Sequence, residues 1–156
     1  MGRVAVEQLQ AAIEPNTRIL LDSSIIIAYL NPDDAFAPHA LRIIGDFVFS
    51  GRNTGLVSTI AVMEALVRPM RAGPPEGYLR VLDFFQRFPH LSYLAVDLPV
   101  AQEAASLRAH FGLGVADALT IAAALVGQTS YIVSADRAWV SKLKAIQTRV
   151  ELICLA

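Results

Sequence analysis

Four acidic side chains stand where a folded chain would bring them together. They are Asp22 after the apolar run RILL, Glu64 in IAVMEALV, Asp117 at the start of VADALTIAAALVG, and Asp136 at the end of YIVSAD. Carboxylate oxygens are the ligands that Mg²⁺ and Mn²⁺ prefer. Crowded carboxylates repel each other unless a cation lies among them. The four acids therefore predict a divalent cation site, with Mg²⁺ (or Mn²⁺) as its natural occupant.

Each acid taken singly also has a structural explanation. Asp22, Asp117 and Asp136 could be helix N-caps or first-turn acids, because a carboxylate there meets the positive end of the helix dipole. Glu64 has apolar neighbours on both sides, and a buried glutamate needs a partner such as Arg68, four residues on, or a metal ion. Four unrelated acids at four such places are a weaker explanation than one shared site.

The elements that must position these acids alternate between strands and helices. Strands are predicted at 18–22, 55–59, 91–97, 129–136 and 150–155, and helices at 39–51, 60–70, 77–88, 98–111, 115–127 and 137–146, with Pro69 expected to end the second of these helices. This alternation is typical of βαβ units and predicts an α/β fold, a three-layer α/β/α arrangement with a central parallel sheet of about five strands. Ligand sites in such sheets form outside the carboxyl ends of the strands.

Composition limits the function classes. The chain has 156 residues, enough for one domain, and 54% of them are apolar, an excess that suits a subunit interface. It has no apolar run long enough for a membrane span and no apolar segment of the secretory-signal type near its start. Its single cysteine, Cys154, fits a cytoplasmic protein. His39, His90 and His110 are scattered, so they give no zinc signature and are predicted to lie on the surface.

The segments around the four acids resemble the motifs of PIN-domain nucleases, and among these most closely the VapC-type toxins of toxin–antitoxin pairs. They are LLDSSIIIAYL, the glutamate in VSTIAVMEALV, the aspartate in GLGVADALTIAAALVG and YIVSADRAWV. The resemblance covers about residues 18–155. It predicts a single PIN-like domain at 18–156, preceded by an N-terminal lead-in at 1–17 whose purpose is open.

The resemblance also implies roles for individual residues. Asp22, Glu64, Asp117 and Asp136 match the metal-binding and catalytic acids of the family. Ser23 and Ser24 stand where the family often has Thr-Asn, and Ser134 matches a hydroxyl two residues before the last acid; these hydroxyls are expected to support the carboxylates. Four arginines near the motifs are candidates for RNA phosphate contacts, with pairing to surface acids as the alternative: Arg68, Arg71, Arg108 and Arg137.

The function implied by the resemblance is a metal-dependent endoribonuclease. Its substrate would be single-stranded RNA, and its expected partners are a cognate antitoxin and a second copy of the chain in a homodimer. One alternative is a PIN-family ribonuclease that processes RNA without an antitoxin. Two others are a receiver-like module with Asp97 as phosphoacceptor, and a binding module with a relic pocket, which would be expected to have lost one of the four acids.

Overall fold

A five-stranded parallel sheet forms the centre of the computed structural model, which describes residues 3–144 and 149–155. The strands are β1 (Arg18–Leu21), β2 (Thr54–Ser58), β3 (Leu91–Leu94), β4 (Tyr131–Ser134) and β5 (Glu151–Cys154). They lie in the order β3-β2-β1-β4-β5, and every neighbouring pair is parallel. The predicted α/β fold with a central parallel sheet of about five strands is confirmed.

Helices occupy every predicted helical segment. They are α1 (Leu9–Ala12), α2 (Ser23–Leu30), α3 (Ala37–Ala40), α4 (Thr59–Ala72), α5 (Pro75–Arg87), α6 (Leu98–Phe111), α7 (Val115–Val126) and α8 (Ala138–Lys142). A 3₁₀ turn at Val6–Gln8 precedes α1, and a π-helical segment at Leu41–Val48 continues α3. The helix predicted at 137–146 is shorter than expected, and its last two residues lie outside the described ranges. No described helix has the length and apolarity to cross a membrane.

The strand order places the ends of β1 and β4 side by side. The chain runs from β1 outward through β2 to β3, and then returns to the other side of β1 to form β4. Leu21 at the end of β1 is in register with Val133, and the backbone N–H of Asp22 donates to the Val133 carbonyl at 3.1 Å. Ligand sites in parallel sheets form at the point where the strand order reverses in this way.

Two apolar layers hold the helices on opposite faces of the sheet. Ile19, Leu21 and Val133 face the layer that contains α1, α2, α4 and α5, while Leu20 and Ile132 face the layer that contains α6, α7 and α8. All five of these strand side chains are fully buried. This alternation along each strand is the period of two that a sheet covered on both faces requires.

Residues of the N-terminal segment contribute to the first of these layers. Leu9 and Ile13 are fully buried. The side-chain amide of Asn53, itself buried, donates to the carbonyls of Glu14 at 2.8 Å and Thr17 at 3.2 Å. Val4 forms a parallel bridge with Leu155, just after β5. The described part of 1–17 is thus bound to the sheet by both apolar and polar contacts.

The prediction that Pro69 ends its helix is wrong. α4 continues through Pro69 to Ala72 and ends at Gly73, whose φ of 99° only glycine adopts readily. A proline inside a helix removes one backbone hydrogen bond, but α4 also packs against α5. Gly77 in α5 lies close to Pro69, and a Cβ there would make ordinary van der Waals contact with Pro69 Cβ at 3.6 Å.

The prediction that all three histidines are on the surface is wrong for His39. Its side chain is only 6% exposed, and neither ring nitrogen has a hydrogen-bond partner within the described residues. The Phe36 ring lies against it, with the ring centroids 5.7 Å apart. Burial lowers the pKa of His39, and the negative charge of Glu7 opposes this shift. His90 and His110 are exposed as predicted.

His39 is expected to make the protein less stable as the pH falls below about 6.5, the usual histidine pKa. The unfolded chain takes up a proton there, whereas the folded chain resists it because the pKa of His39 is lowered. The free energy of unfolding therefore falls with decreasing pH. The melting temperature of His39→Leu should fall less than that of wild type between pH 7.5 and 5.5. His110→Leu, the control at an exposed site, should show the same fall as wild type. An equal loss in His39→Leu would contradict this reading.

Candidate active site

The four acids predicted from the sequence lie around one pocket at the carboxyl edge of the sheet. The pocket has a volume of about 140 Å³ and is lined by all four acids, by Ser23 and Ser24, and by Trp139. Asp22 follows β1 and Asp136 follows β4, while Glu64 comes from α4 and Asp117 from the first turn of α7. The pocket thus lies at the seam between the helices of the two faces.

Asp22 is the most enclosed of these acids. It is 6% exposed and occupies the N-cap position of α2. The hydroxyls of Ser24 and Ser134 both donate to its Oδ2, at 2.8 and 2.9 Å. Burial raises the pKa of the Asp22 carboxyl, and the hydrogen bonds from these two serines oppose that shift. A buried carboxylate held in this way is costly unless a positive charge compensates it.

The same two serines fix the backbone after β4. Ser24 Oγ accepts a hydrogen bond from the Ala135 N–H, and Ser134 Oγ accepts one from the Asp136 N–H, both at 3.0 Å. The start of α2 and the loop that carries Asp136 are therefore tied to each other through hydroxyl groups. Ser23 lines the pocket, but its hydroxyl makes no hydrogen bond within the described chain.

Lys142 binds Asp117, a contact that sequence reasoning missed. Its Nζ lies 2.5 Å from Asp117 Oδ2, and both side chains are partly exposed. The hydrogen bond that Lys142 donates to Asp117 raises the pKa of Lys142, and the negative charges of Asp136 and Asp22 act in the same direction. One sequence signal could have found it, because Lys142 is one of only two lysines and follows the fourth acid within a predicted helix.

Glu64 and Asp136 are more exposed to solvent than Asp22. Glu64 lies in the second turn of α4, partly exposed, and makes no ion pair in the described structure. Arg68, its possible partner, is exposed and lines a separate cavity of about 240 Å³ together with Arg80. Asp136 is exposed, and its Oδ1 accepts a hydrogen bond from the Ala138 N–H at 2.9 Å, so it also stabilises the start of α8.

The donor set suits a hard divalent cation, although it is not assembled as a complete ligand sphere. Four carboxylates supply oxygen donors and negative charge, as Mg²⁺ and Mn²⁺ require. Within residues 3–144 and 149–155, however, no three acidic, histidine or cysteine side chains are grouped closely enough to bind a metal ion. Asp117 Oδ2 is also paired with Lys142. A cation that took this oxygen would have to displace the Lys142 ammonium group.

The candidate RNA-binding arginines lie outside the pocket. Arg108 donates from its Nε to the Leu113 carbonyl at 3.2 Å and so holds the loop that joins α6 to α7. Arg71 lies exposed in the last turn of α4, and Arg137 lies exposed just before α8. Asp97, considered as a phosphoacceptor, accepts a hydrogen bond from the Val100 N–H and caps α6 instead of lining the pocket.

Solved structures of similar shape include several toxin–antitoxin proteins. VapC20 of Mycobacterium tuberculosis, described as a sarcin–ricin loop cleaving toxin, is 14% identical with a TM-score of 0.65, over 79% of this chain and 93% of that chain. FitAcB of Neisseria gonorrhoeae is 17% identical with a TM-score of 0.65, over 86% and 95%. DNA-bound VapBC of Salmonella typhimurium is 19% identical with a TM-score of 0.64, over 88% and 99%. At these identities the likeness concerns the fold.

The sequence itself, compared with known families, identifies the family of the chain more directly than the shape of its fold does. A search of curated proteins finds no significant match. The PIN domain model matches residues 19–144, a range that includes the four acids, both supporting serines and Lys142. Since this match spans most of the sequence and the sheet and acidic pocket agree with it, the chain belongs to the PIN-domain family.

Proposed function

We propose that the chain is a metal-dependent endoribonuclease that cleaves single-stranded RNA and acts as the toxin of a type II toxin–antitoxin pair. The observation that carries this proposal is the convergence of four carboxylates from four different elements on one pocket of a PIN-domain sheet. The similar structures support it, because they include a toxin that cleaves the sarcin–ricin loop and several toxin–antitoxin complexes. We assign this activity to a single domain at 18–156, with 1–17 as its lead-in.

The four acids are proposed to hold the metal and to be the catalytic residues. PIN-domain nucleases generally use divalent metal ions, and the all-oxygen donor set here favours Mg²⁺ or Mn²⁺. A bound divalent cation neutralises charge on the scissile phosphate and lowers the pKa of an attacking water. Ser24 and Ser134 keep the Asp22 carboxylate in a fixed orientation through their hydrogen bonds to Oδ2. Ser23 contributes to the pocket wall.

Trp139 and the pocket shape determine what else can enter. The Trp139 side chain is buried and forms part of the wall. The scissile phosphate is expected to reach the carboxylates beside the exposed Asp136, at the start of α8. In-line attack by water on that phosphate is expected to leave a 5′-phosphate and a 3′-hydroxyl.

The partners are part of the same proposal. A cognate antitoxin is expected to cover the acidic pocket, where a basic side chain would replace the charge of the cation. A homodimer would bury some of the large apolar side chains that this chain leaves exposed, including Met63, Tyr93, Leu98 and Val115. Arg68, Arg71, Arg108 and Arg137 remain candidates for RNA phosphate contacts, Arg108 with the added task of holding its loop.

The test is cleavage of a mixed single-stranded RNA pool in Mg²⁺, in Mn²⁺ and in EDTA. Wild type should cleave only with metal. Asp117→Asn should cleave at least about 100-fold more slowly, because metal-assisted charge stabilisation is worth several kcal/mol and each 1.4 kcal/mol is tenfold in rate. Asp97→Asn is the matched control, since Asp97 lies outside the pocket, and it should cleave like wild type. Undiminished cleavage in EDTA or in Asp117→Asn would refute the proposal.

A further inference from the structure

A second, larger cavity adjoins the acidic pocket. It has a volume of about 540 Å³ and is lined by the loop 111–114 together with Asp117, Ser141 and Lys142. We call it the flanking cavity. Asp117 lines both this cavity and the acidic pocket, so the two are neighbours that share one wall. The volume lies within the roughly 300–1,000 Å³ typical of small-molecule sites.

The Asp117–Lys142 pair lies at this shared wall. Lys142 Nζ is 2.5 Å from Asp117 Oδ2, and both residues line the flanking cavity. A cation bound among the four carboxylates would compete with the Lys142 ammonium for Asp117. A displaced Lys142 side chain has the flanking cavity beside it, where its charge would suit a phosphate group.

The loop 111–114 forms an apolar and unusually open wall. Phe111 is 44% exposed, although an aromatic ring of this size is more often covered. Gly112 and Gly114 flank the buried Leu113, and a Cβ on either glycine would meet no atom within 4 Å. The hydrogen bond from Arg108 Nε to the Leu113 carbonyl holds the loop in place. The wall thus offers an accessible ring and space on both sides of Leu113.

We propose that the flanking cavity binds the nucleotide next to the scissile phosphate, with its base against Phe111 and a phosphate on Lys142. The proposal rests on the ribonuclease function proposed above and names the part of the RNA that this second cavity takes. It gives Lys142 two alternating partners, Asp117 in the absence of a cation and an RNA phosphate in its presence. Base stacking on an aromatic ring accepts every base, so the cavity would bind RNA with little sequence preference of its own.

RNA binding by matched variants tests the two contacts. Binding of a labelled single-stranded RNA is measured by fluorescence anisotropy in Ca²⁺, with gels to check that the RNA stays intact. Phe111→Ala should weaken binding at least about five-fold, as expected for one lost stacking contact, and Phe111→Tyr should restore it. Phe49→Ala is the control, because Phe49 is 57% exposed but precedes β2, at the amino edge of the sheet.

Replacing Lys142 should change the affinities for RNA and for Mg²⁺ in opposite directions. Lys142→Met should weaken RNA binding and reduce the salt slope of log K by about 0.7, the value for one phosphate contact on a single strand. It should also tighten Mg²⁺ binding, measured by calorimetry without RNA, because the competing ammonium is gone. Lys142→Arg should retain RNA binding, and Lys144→Met should leave both affinities unchanged, since Lys144 is exposed and lines neither cavity.

The outcomes separate this inference from the proposed function. If wild type cleaves RNA with metal but Phe111→Ala and Lys142→Met bind RNA as wild type does, the flanking cavity is not a nucleotide site and belongs to another occupant, such as a protein segment. If wild type neither cleaves nor binds RNA, both proposals fail together. Melting temperatures of the variants show whether any lost affinity comes from unfolding, and a folded Phe111→Ala with weaker binding supports the inference.

Discussion

Asp22→Asn is expected to remove RNA cleavage almost completely while leaving the fold intact. The asparagine side chain has the same shape, and its Oδ1 can accept the hydrogen bonds that Ser24 and Ser134 donate to Asp22 Oδ2. It lacks the negative charge that the Asp22 carboxylate would contribute to binding a divalent cation. The expected loss in rate is at least about 100-fold, because metal-assisted charge stabilisation is worth several kcal/mol.

The stability of Asp22→Asn should change in the direction opposite to its activity. Burial raises the pKa of Asp22 in the folded protein, so between the usual aspartate pKa of about 3.9 and the raised value the unfolded chain binds fewer protons. The free energy of unfolding of wild type therefore falls as the pH rises through that range, and the deficit persists at neutral pH. In EDTA at pH 7.5, Asp22→Asn should melt at or above the wild-type temperature.

Adding Mg²⁺ should reverse that order. A ligand that binds only the folded state raises the melting temperature, and wild type should gain from Mg²⁺ where Asp22→Asn gains little or nothing. Asp97→Asn serves as the control, because it also removes a carboxylate from a helix N-cap and should keep both cleavage and the Mg²⁺ response. Full cleavage by Asp22→Asn would exclude Asp22 from the catalytic site.

Trp139→Ala is expected to cause the largest loss of stability. Trp139 is 2% exposed and packs in the apolar layer formed with α6 and α7. It is also the buried side chain of α8, a helix of only five residues. Truncation of a buried tryptophan to alanine typically costs about 3–5 kcal/mol through lost apolar contact and the cavity that remains.

The loss should extend to the active site because Trp139 anchors the segment that carries Asp136 and Lys142. Urea unfolding measures the change in free energy, and RNA cleavage measures the effect on the site. Trp139→Phe keeps a ring in the layer and should lose much less of both, while Val140→Ala, at a half-buried position of the same helix, should stay within about 1 kcal/mol of wild type. A stability loss below about 1 kcal/mol in Trp139→Ala would show that α8 is held by other contacts.

The sheet and the convergence of the acids could be predicted because they depend on local patterns. Alternating apolar strands and helices imply a parallel sheet, and a parallel sheet gathers the carboxyl ends of its strands at one edge. Asp22 and Asp136 each come directly after such a strand, so their proximity follows from the topology alone. The arrangement in which β1 and β4 are neighbours then brings them to the same pocket.

The contacts that escaped prediction depend on how separate elements dock. The Lys142–Asp117 pair joins residues 25 positions apart and exists because α8 packs beside the first turn of α7. His39 is buried by tertiary packing, although histidine is usually exposed or partly exposed. Pro69 has a strong local tendency to end a helix, and packing against α5 overrides it. Local pattern draws attention to Lys142 as one of only two lysines, but it identifies neither its partner nor the packing around His39 and Pro69.

The bridge between Val4 and Leu155 leaves one edge of the sheet more protected than the other. Beyond β5, the N-terminal segment supplies a backbone partner at that bridge, whereas β3 has no described strand on its outer side. An unpaired edge strand of this kind can accept an added strand from another chain and is a common origin of aggregation. Shortening the chain to begin at the first strand would remove the Val4 partner and the buried Leu9 and Ile13. Such a shortened protein would therefore have two exposed sheet edges that can pair with another chain, and a weakened core.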